Sequence, residues 1–249
     1  MGTVRLLGHG TIGRNTVKTP KNGFTLIELM IVIAIIAVIA SIAIPNLMSA
    51  RLNANETSAI ATLRSISSAE AQFQASGKCD VNDNGTGEYG LFREMSGAIG
   101  VRTDSDAATI GTIMSPAVLS GAFRTFNAGD EVSRSGYLFR MVLAGPGGIG
   151  VLEAASGALA APIDPSLGET IWCCYAWPSA YAKTGNRTFF VNQAGDIVNT
   201  DHFAYSGTGR LTATNVGAAF EAGGVGSLIS GRVAVGTRGR DGRRWKQVN

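Results

Sequence analysis

A single carboxylate lies inside a long apolar stretch near the start of the chain. Residues 24–44 are apolar apart from Thr25, Glu28 and Ser41, and no charged residue occurs from 29 to 50. A carboxylate within a membrane segment costs about 2.5 to 3.5 kcal/mol at mid-depth and less near the interface, so it usually has a partner. Glu28 is therefore the residue whose chemistry needs explaining, and pairing with a cation is the chemistry that a buried carboxylate offers.

The stretch that carries Glu28 is predicted to be a transmembrane helix. A helix of about 20 residues spans about 30 Å, which is the thickness of the hydrocarbon core of a bilayer. Residues 1–23 contain four basic and no acidic residues, which places the N-terminus in the cytoplasm and the bulk of the chain outside. A cleaved secretory signal with a cut site at Ser41-Ile42-Ala43 is one alternative, but the apolar run is too long for it. A plain membrane anchor is another, and Glu28 argues against it.

The residues around Glu28 resemble a known processing site. The segment Lys21-Asn22-Gly23-Phe24-Thr25-Leu26-Ile27-Glu28-Leu29-Met30, with the apolar run up to Pro45, is similar to the N-termini of type IV prepilins and type II secretion pseudopilins. The resemblance implies that a prepilin peptidase cuts after Gly23 and methylates the new amine of Phe24. It also implies that Glu28 pairs with the amino terminus of an adjacent subunit, so that the costs of burying the two charges offset one another.

The resemblance also implies a function and a location. The chain would be a structural subunit of a type IV pilus-like filament, without catalytic activity, assembled with identical subunits through its N-terminal helix. The precursor would span the bacterial inner membrane once, and pilus or secretion machinery would then build a periplasm-spanning or cell-surface filament. A type II secretion pseudopilin is the nearest alternative. A minor tip pilin or adhesin that binds DNA or surfaces is another.

The fold class is predicted to be α+β, with a long helix packed on an antiparallel sheet. A kink or local unwinding is expected at Pro45, and the helix is expected to end at Ser76 and Gly77. Helical spacing predicts a buried face, with Arg51, Glu56, Arg64 and Glu70 on other faces; its residues are Leu47, Ala50, Ala54, Ile60, Leu63, Ile66, Ala69 and Phe73. The predicted segments are 1–23, the leader; 24–45, the transmembrane half of the helix; 46–77, its amphipathic half; and 78–249, an exported β-rich head with a basic tail.

Four runs of the head are rich in aromatic, β-branched or alternating residues and are predicted to be strands: 137–143, 169–175, 188–192 and 197–200. Gln193-Ala194-Gly195-Asp196 lies between the last two runs and predicts a hairpin turn. Residues 96–127 are expected to be an insertion rich in small residues, and residues 144–168 a long loop.

The segment after the helix resembles the first half of a calcium-binding loop. Oxygen-bearing side chains alternate and are followed by glycine, as in an EF-hand. The predicted calcium ligands are Asp80, Asn82, Asn84, the carbonyl of Thr86, and Glu88. Leu91 stands where an EF-hand needs its bidentate glutamate, and a plain turn rich in Asn and Asp without metal is the alternative. No other cofactor is predicted.

The three cysteines fit no zinc pattern, because there is no C-x-x-C and His202 is the only histidine beyond the leader. A disulfide is the better interpretation for an exported chain. Joining Cys79 to Cys173 or to Cys174 would close a loop of roughly 100 residues, worth about 4 to 5 kcal/mol by chain-entropy arguments. Strand alternation places Cys173 and Cys174 on opposite faces, so the sequence does not choose between them.

The basic character of the chain is confined to its two ends. The formal net charge is +3, but without the four basic residues of the leader it is −1. Residues 232–249 carry six basic residues and Asp241, which leaves residues 24–231 at −6. Such a tail suits contact with a neighbouring subunit, with a polyanion such as DNA through charge and the stacking of Trp245, or with water alone. No nucleophile motif accompanies His202, so an enzyme is not predicted.

Overall fold

The computed structural model describes residues 23–108, 110–157, 159 and 161–248. The chain forms two compact units, Met1–Pro45 and Asn46–Asn249. The residues of both hydrophobic cores belong to the second unit, the head. The predicted leader, residues 1–23, lies outside the described residues apart from Gly23.

The first element is the long helix α1, Leu26–Ala75. The residues on both sides of Pro45 are helical, so the local unwinding expected there is absent. A proline removes one backbone donor but does not by itself end a helix whose neighbouring turns remain hydrogen-bonded. The helix ends where expected: Gly77 has a left-handed φ of +60° and its N–H donates to the carbonyl of Gln74 at 3.1 Å.

The buried face of α1 within the head begins later than predicted. Leu63, Ile66, Ala69 and Phe73 are fully buried, as expected, and Ile60 packs against the same core. The expectation was wrong for the preceding turns, since Leu47, Ala50 and Ala54 are exposed.

It was also wrong for two acidic residues, because Glu56 and Glu70 are buried. Each carboxylate is bonded to a residue from a distant segment of the chain. The Glu56 carboxylate lies 2.6 Å from Nε of Arg187, and that of Glu70 accepts the N–H of Gly90 at 2.9 Å. Helical periodicity alone does not reveal such partners.

The head contains two short helices, α2, Phe92–Met95, and α3, Pro165–Gly168. Its strands are β1 Gly100–Arg102, β2 Ile110–Ile113, β3 Val132–Arg134, β4 Tyr137–Ala144, β5 Gly150–Leu152, β6 Trp172–Pro178, β7 Arg187–Asn192, β8 Val198–Asp201 and β9 Lys246–Gln247. Seven of them form an antiparallel sheet with the order β3-β4-β6-β7-β8-β9, in which β5 pairs with β4. A two-stranded sheet, β1-β2, lies outside it.

The sheet is buried on both faces. One face packs on α1, and this core includes Phe73, Phe139 and Phe189. The other face forms a second core with residues 211–245, which include Phe220 and Trp245. Every residue of β4 and β6 is buried, as is typical of a strand covered on both sides.

The predicted architecture of a long helix packed on an antiparallel sheet is confirmed. The hairpin at 193–196 is also present, since β7 and β8 pair antiparallel and Gly195 has a φ of +78°. The predicted run 169–175 is shifted, because the strand starts at Trp172 after a turn at 169–170. The expected insertion and long loop contain β1, β2, β5 and α3, and the layer that covers the second face of the sheet was not predicted.

Candidate assembly segment

The residues from Phe24 to Met48 form an uncovered apolar surface. Phe24 is 89% exposed, and each large apolar side chain of this segment exposes about half of its surface or more. Helix α1 is long and apolar enough to cross a membrane, and its most apolar stretch is entirely unburied. Fully burying one such side chain is worth about 1.5 to 3 kcal/mol, so a surface of this kind needs lipid or other helices around it.

Glu28 closes a capping box at the start of this helix. The Glu28 carboxylate accepts the backbone N–H of Thr25 at 2.9 Å and its hydroxyl at 2.7 Å, and the N–H of Glu28 donates back to Oγ1 of Thr25 at 3.3 Å. This reciprocal arrangement satisfies N–H groups that a helix start leaves unpaired. Among the ion pairs of the described residues none involves Glu28. The described residues therefore give this charge no cationic partner, while Thr25 holds the carboxylate at the helix start.

Residues 88–102, which follow α1 and precede the seven-stranded sheet in the chain, contain a buried ionic cluster. The sequence did not predict this cluster. The guanidinium of Arg102 is fully buried, with Nη1 2.6 Å from the carboxylate of Glu94 and Nη2 3.0 Å from that of Glu88. Glu94 also accepts the N–H groups of Leu91 and Arg102. These bonds tie residues 88–102 into one unit.

Two further buried carboxyl groups border this cluster without an ion pair of their own among the described residues. Glu153 accepts the N–H groups of Phe92 at 3.0 Å and Arg93 at 3.2 Å. Burial, followed by the negative charge of Glu94, raises its pKa from 4.5 to about 8. Burial likewise raises the pKa of Glu70, which keeps one oxygen without a hydrogen-bond partner. Both groups favour the neutral form in the folded head.

The loop predicted to bind calcium is closed by hydrogen bonds to its Asp and Asn side chains, and Glu88 does not belong to it. The oxygens of Glu88 are bound by Arg102 and by the N–H of Val81, so this predicted ligand is wrong. Asp80 accepts the N–H of Asn84 at 3.1 Å and of Gly85 at 2.8 Å.

Another carboxylate takes the place of Glu88 beside the loop. The amide nitrogens of Asn82 and Asn84 lie 2.8 and 2.7 Å from one oxygen of Glu169. Thr86 contributes its N–H to the side-chain oxygen of Asn84. In the described part of the chain no group of three or more His, Cys, Asp or Glu could hold a metal ion.

The cysteines are buried free thiols, so the predicted disulfide of Cys79 with Cys173 or Cys174 is not formed in this structure. Cys79 shares the core beneath α1 with Cys174, whereas Cys173 belongs to the core on the other face. Burial raises the pKa of all three thiols and so disfavours the thiolate form. The predicted opposite facing of Cys173 and Cys174 is confirmed.

The basic tail is ordered and packs on the head. Trp245 is fully buried, and its ring lies 6.2 Å from those of Tyr175 and Phe190. The predicted stacking of Trp245 on a nucleic acid is therefore wrong. His202 lies in the turn after β8, where its Nδ1 accepts the N–H of Ala204.

Comparison with known proteins gives two family matches. The family described as "Prokaryotic N-terminal methylation motif" matches residues 18–44. The family described as "Protein of unknown function (DUF2950)" matches residues 41–212, which is more than half of the chain.

Curated relatives align with short parts of the chain. It is 52% identical over 52 residues to the type IV wide pilus major component PilA4 of Thermus thermophilus, which covers 21% of this chain and 40% of that protein. It is 36% identical over 89 residues to the type IV major pilin protein PilA of Myxococcus xanthus, covering 35% and 40%. It is 35% identical over 74 residues to the type II secretion system core protein G of Aeromonas hydrophila, covering 30% and 49%.

The chain thus spans less than half the length of each of these relatives. No solved structure gives a significant match. The methylation motif coincides with the uncovered apolar segment and with Glu28, and the larger family match covers most of the helix-and-sheet head. The chain therefore belongs to the family of proteins of unknown function DUF2950, and its N-terminal segment carries the prokaryotic N-terminal methylation motif and is similar to that of type IV pilins and of core protein G.

Proposed function

We propose that this chain is a structural subunit of a type IV pilus-like filament. The observation that carries the proposal is the uncovered apolar surface of the N-terminal half of α1, which coincides with the methylation motif. In the membrane this surface faces lipid, and in a filament it faces the same segment of other subunits. No catalytic step is assigned to the chain. Prepilin peptidase supplies the cut after Gly23 and the methyl group on Phe24.

Glu28 gives this association its register. The carboxylate is held at the helix start by Thr25, and no ion pair among the described residues involves it. The amine of Phe24, released by cleavage in a neighbouring subunit, is the complementary charge. A buried carboxylate and a buried ammonium each cost several kcal/mol alone and offset one another when paired. The pair therefore stabilises one axial position of the two helices relative to positions that are shifted along the helix axis.

A type II secretion pseudopilus is the second candidate function, favoured by the similarity to core protein G. The same N-terminal segment serves both assemblies. In either case the precursor is anchored in the membrane by α1. We place it in the bacterial inner membrane, with the head outside the cytoplasm and with pilus or secretion machinery as its partner.

We also propose that the loop 80–86 binds calcium with Glu169 in place of Glu88. Two arrangements support this. Asp80 accepts the N–H of Gly85, five residues on, and Asn82 and Asn84 converge on one oxygen of Glu169. Because an amide carries its nitrogen and oxygen at equivalent positions, half a turn of each amide presents oxygens to the same point. Carboxylate, amide and backbone oxygens are the ligands that calcium prefers.

The processing step is tested with Gly23→Ala in the full-length chain. We expect uncut precursor in the membrane and no filaments, whereas Gly13→Ala, another leader glycine, should mature normally. Immunoblotting and mass spectrometry of the N-terminus measure the first effect, and electron microscopy of cells with and without the gene measures the second. Normal maturation of Gly23→Ala, or wild-type cells whose filaments lack the protein, would refute the proposal.

The charge of Glu28 is separated from its capping role by a pair of variants. Gln also suits this position of a capping box, so Glu28→Gln keeps the helix start and removes the charge. Thr25→Ala removes the cap, worth about 1 kcal/mol, and keeps the charge. We expect Glu28→Gln to be processed but to lower filament yield at least tenfold, and Thr25→Ala to assemble. Equal assembly of the two variants would contradict the assigned role.

A further inference from the structure

A cavity with a charged residue in its wall opens beside the second core of the head. Its volume, about 480 Å³, lies within the range of about 300 to 1,000 Å³ that is typical of small-molecule sites. Arg140 of β4 lines it together with two buried leucines of the second core, Leu152 of β5 and Leu211. Thr212 and Ala213, which are exposed, lie at its mouth. We call it the Arg140 cavity.

Arg140 lies on a strand face that is otherwise apolar. The residues two positions before and after it, Leu138 and Val142, belong to the second core. Successive side chains of a strand alternate between its faces, so Arg140 shares this face with them. Only 9% of its surface is exposed. Burying a guanidinium is costly unless hydrogen bonds and opposite charge compensate for the lost water.

Two backbone carbonyls hold the guanidinium in place and leave one of its donors unpaired. Nη1 donates to the carbonyl of Leu211 at 2.8 Å and to that of Gly129 at 3.3 Å, and both residues line the cavity. Nε is buried and has no hydrogen-bond partner among the described residues. Because nearly all buried donors in proteins are paired, an unpaired donor on a cavity-lining residue points to an acceptor from outside the chain.

The charge of Arg140 is only weakly compensated within the head. Its ion pair among the described residues is with the partly exposed Asp130, at 3.6 Å from Nη2, which is beyond hydrogen-bond length. Arg102, in contrast, lies 2.6 and 3.0 Å from two buried carboxylates. Burial lowers the pKa of Arg140, and the charges of Asp130, Glu131 and Glu153 do not offset this. An anion in the cavity would supply the missing compensation.

The two neighbouring acids are engaged elsewhere. Glu131 is fully buried and does not belong to the lining; its Oε1 accepts the N–H of Gly209 at 2.6 Å, which fixes one part of the cavity wall. Asp130 lines the cavity, but its Oδ1 accepts the N–H of Ala155 at 2.7 Å. The unpaired donor of Arg140 is therefore the polar group that the cavity offers to a ligand.

We propose that the Arg140 cavity binds a small organic carboxylate with an aliphatic body. Nε and Nη2 of a guanidinium form a side-by-side fork that matches the two oxygens of a carboxylate, and such paired bonds are strong. The longer contact of Nη2 with Asp130 is replaced by the ligand. The aliphatic body packs against Leu152 and Leu211. This binding adds to filament assembly and does not depend on it.

Isothermal titration calorimetry of the full-length processed protein tests the proposal, with isocaproate as the probe and the same non-ionic detergent in both solutions. Titration into detergent alone gives the heat of partition into micelles, which is subtracted. We expect saturable binding of isocaproate. Isocaproamide has the same shape without the charge, and acetate lacks the body, so each should bind at least about tenfold more weakly.

Two variants separate the guanidinium from the cavity. Arg140→Met keeps a long side chain but removes the charge and the donors, so it should lower the affinity for isocaproate to that for isocaproamide. Ala213→Phe fills the mouth from an exposed position and should abolish binding. Ala222→Phe, at an exposed alanine outside the lining, is the matched control and should bind like the wild type.

Equal affinity for isocaproamide and isocaproate overturns the proposal. So does equal affinity for isohexylammonium, because Asp130 and Glu131 would then select the ligand. Isocaproate binding that survives Ala213→Phe, that is lost equally in Ala222→Phe, or that does not exceed the micelle heat overturns it as well. The comparison of probes uses the wild type alone, so it decides the question also where Arg140→Met fails to fold. Filaments without carboxylate binding leave the proposed function intact.

Discussion

The carboxyl group of Glu153 makes the stability of the head depend on pH. In the unfolded chain it has an ordinary pKa, 4.5, whereas in the folded head burial raises the pKa to about 8. At neutral pH the unfolded state has therefore lost a proton that the folded state keeps. Raising the pH favours unfolding across this window, and the stabilisation is complete only below about pH 4.5.

The size of the effect follows from the shift. Each pKa unit corresponds to about 1.4 kcal/mol, so the full passage from pH 4.5 to pH 8 removes about 5 kcal/mol of unfolding free energy as an upper value. Glu70 acts in the same direction, because burial raises its pKa too. A stability of about 5 to 15 kcal/mol is typical of a domain, so this loss is a large part of the total.

Urea unfolding of Asn46–Asn249 from pH 5 to pH 9, followed by tryptophan fluorescence, measures the effect. Glu153→Gln has no proton to lose, and its amide oxygen still accepts the N–H of Phe92 or Arg93. We expect the free energy of unfolding of the variant to rise, relative to that of the wild type, by about 1.4 kcal/mol per pH unit between pH 5 and pH 8. Asp196→Asn, in an exposed turn, is the control and should show no such trend. A difference between Glu153→Gln and wild type that stays constant with pH would refute the reasoning.

Three further predictions concern the head. Trp245→Ala should destabilise it by about 3 to 5 kcal/mol in urea unfolding, because the substitution leaves a cavity in the second core. Gln247→Ala, at an exposed position of β9, is the control and should cost less than about 0.5 kcal/mol. Arg102→Ala should lower the free energy of unfolding by about 3 to 5 kcal/mol, since it leaves Glu88 and Glu94 buried without their cation. Arg210→Ala removes an exposed arginine and is the control; a smaller loss for Arg102→Ala than for this control would contradict a stabilising role of the cluster. Calorimetry should detect calcium uptake that Asp80→Ala and Glu169→Gln abolish and Asp106→Asn preserves; uptake that survives Glu169→Gln would exclude Glu169 as a ligand.

The N-terminal segment and the sheet were accessible from the sequence because their signals are local. An apolar run with one carboxylate, alternating strand residues and a glycine turn all act within a few positions. They predicted the long helix, the strands around 137–143 and 188–192, and the hairpin between β7 and β8 correctly. The boundary of β6 was misplaced because Thr170 belongs to a turn that α3 imposes.

The buried charges were inaccessible because their partners are far apart in the chain. Glu56 on α1 pairs with Arg187 of β7, 131 residues away, and Glu70 accepts the N–H of Gly90, 20 residues away. A sequence pattern predicts that a glutamate in a helix is exposed, because the distant guanidinium or backbone N–H that allows it to be buried is brought close only by folding. For the same reason the predicted calcium ligands included Glu88 and not Glu169, which lies beside Asn82 and Asn84 only in the folded head.

The return of residues 245–247 to the sheet also constrains when the head can fold. β9 completes the sheet beside β8, and Trp245 closes the second core, which also contains Leu138 of β4. A chain emerging from a ribosome lacks this closure until more than 100 residues beyond β4 have appeared. The finished head therefore forms only after Trp245 has been synthesised, however early α1 and β4 emerge.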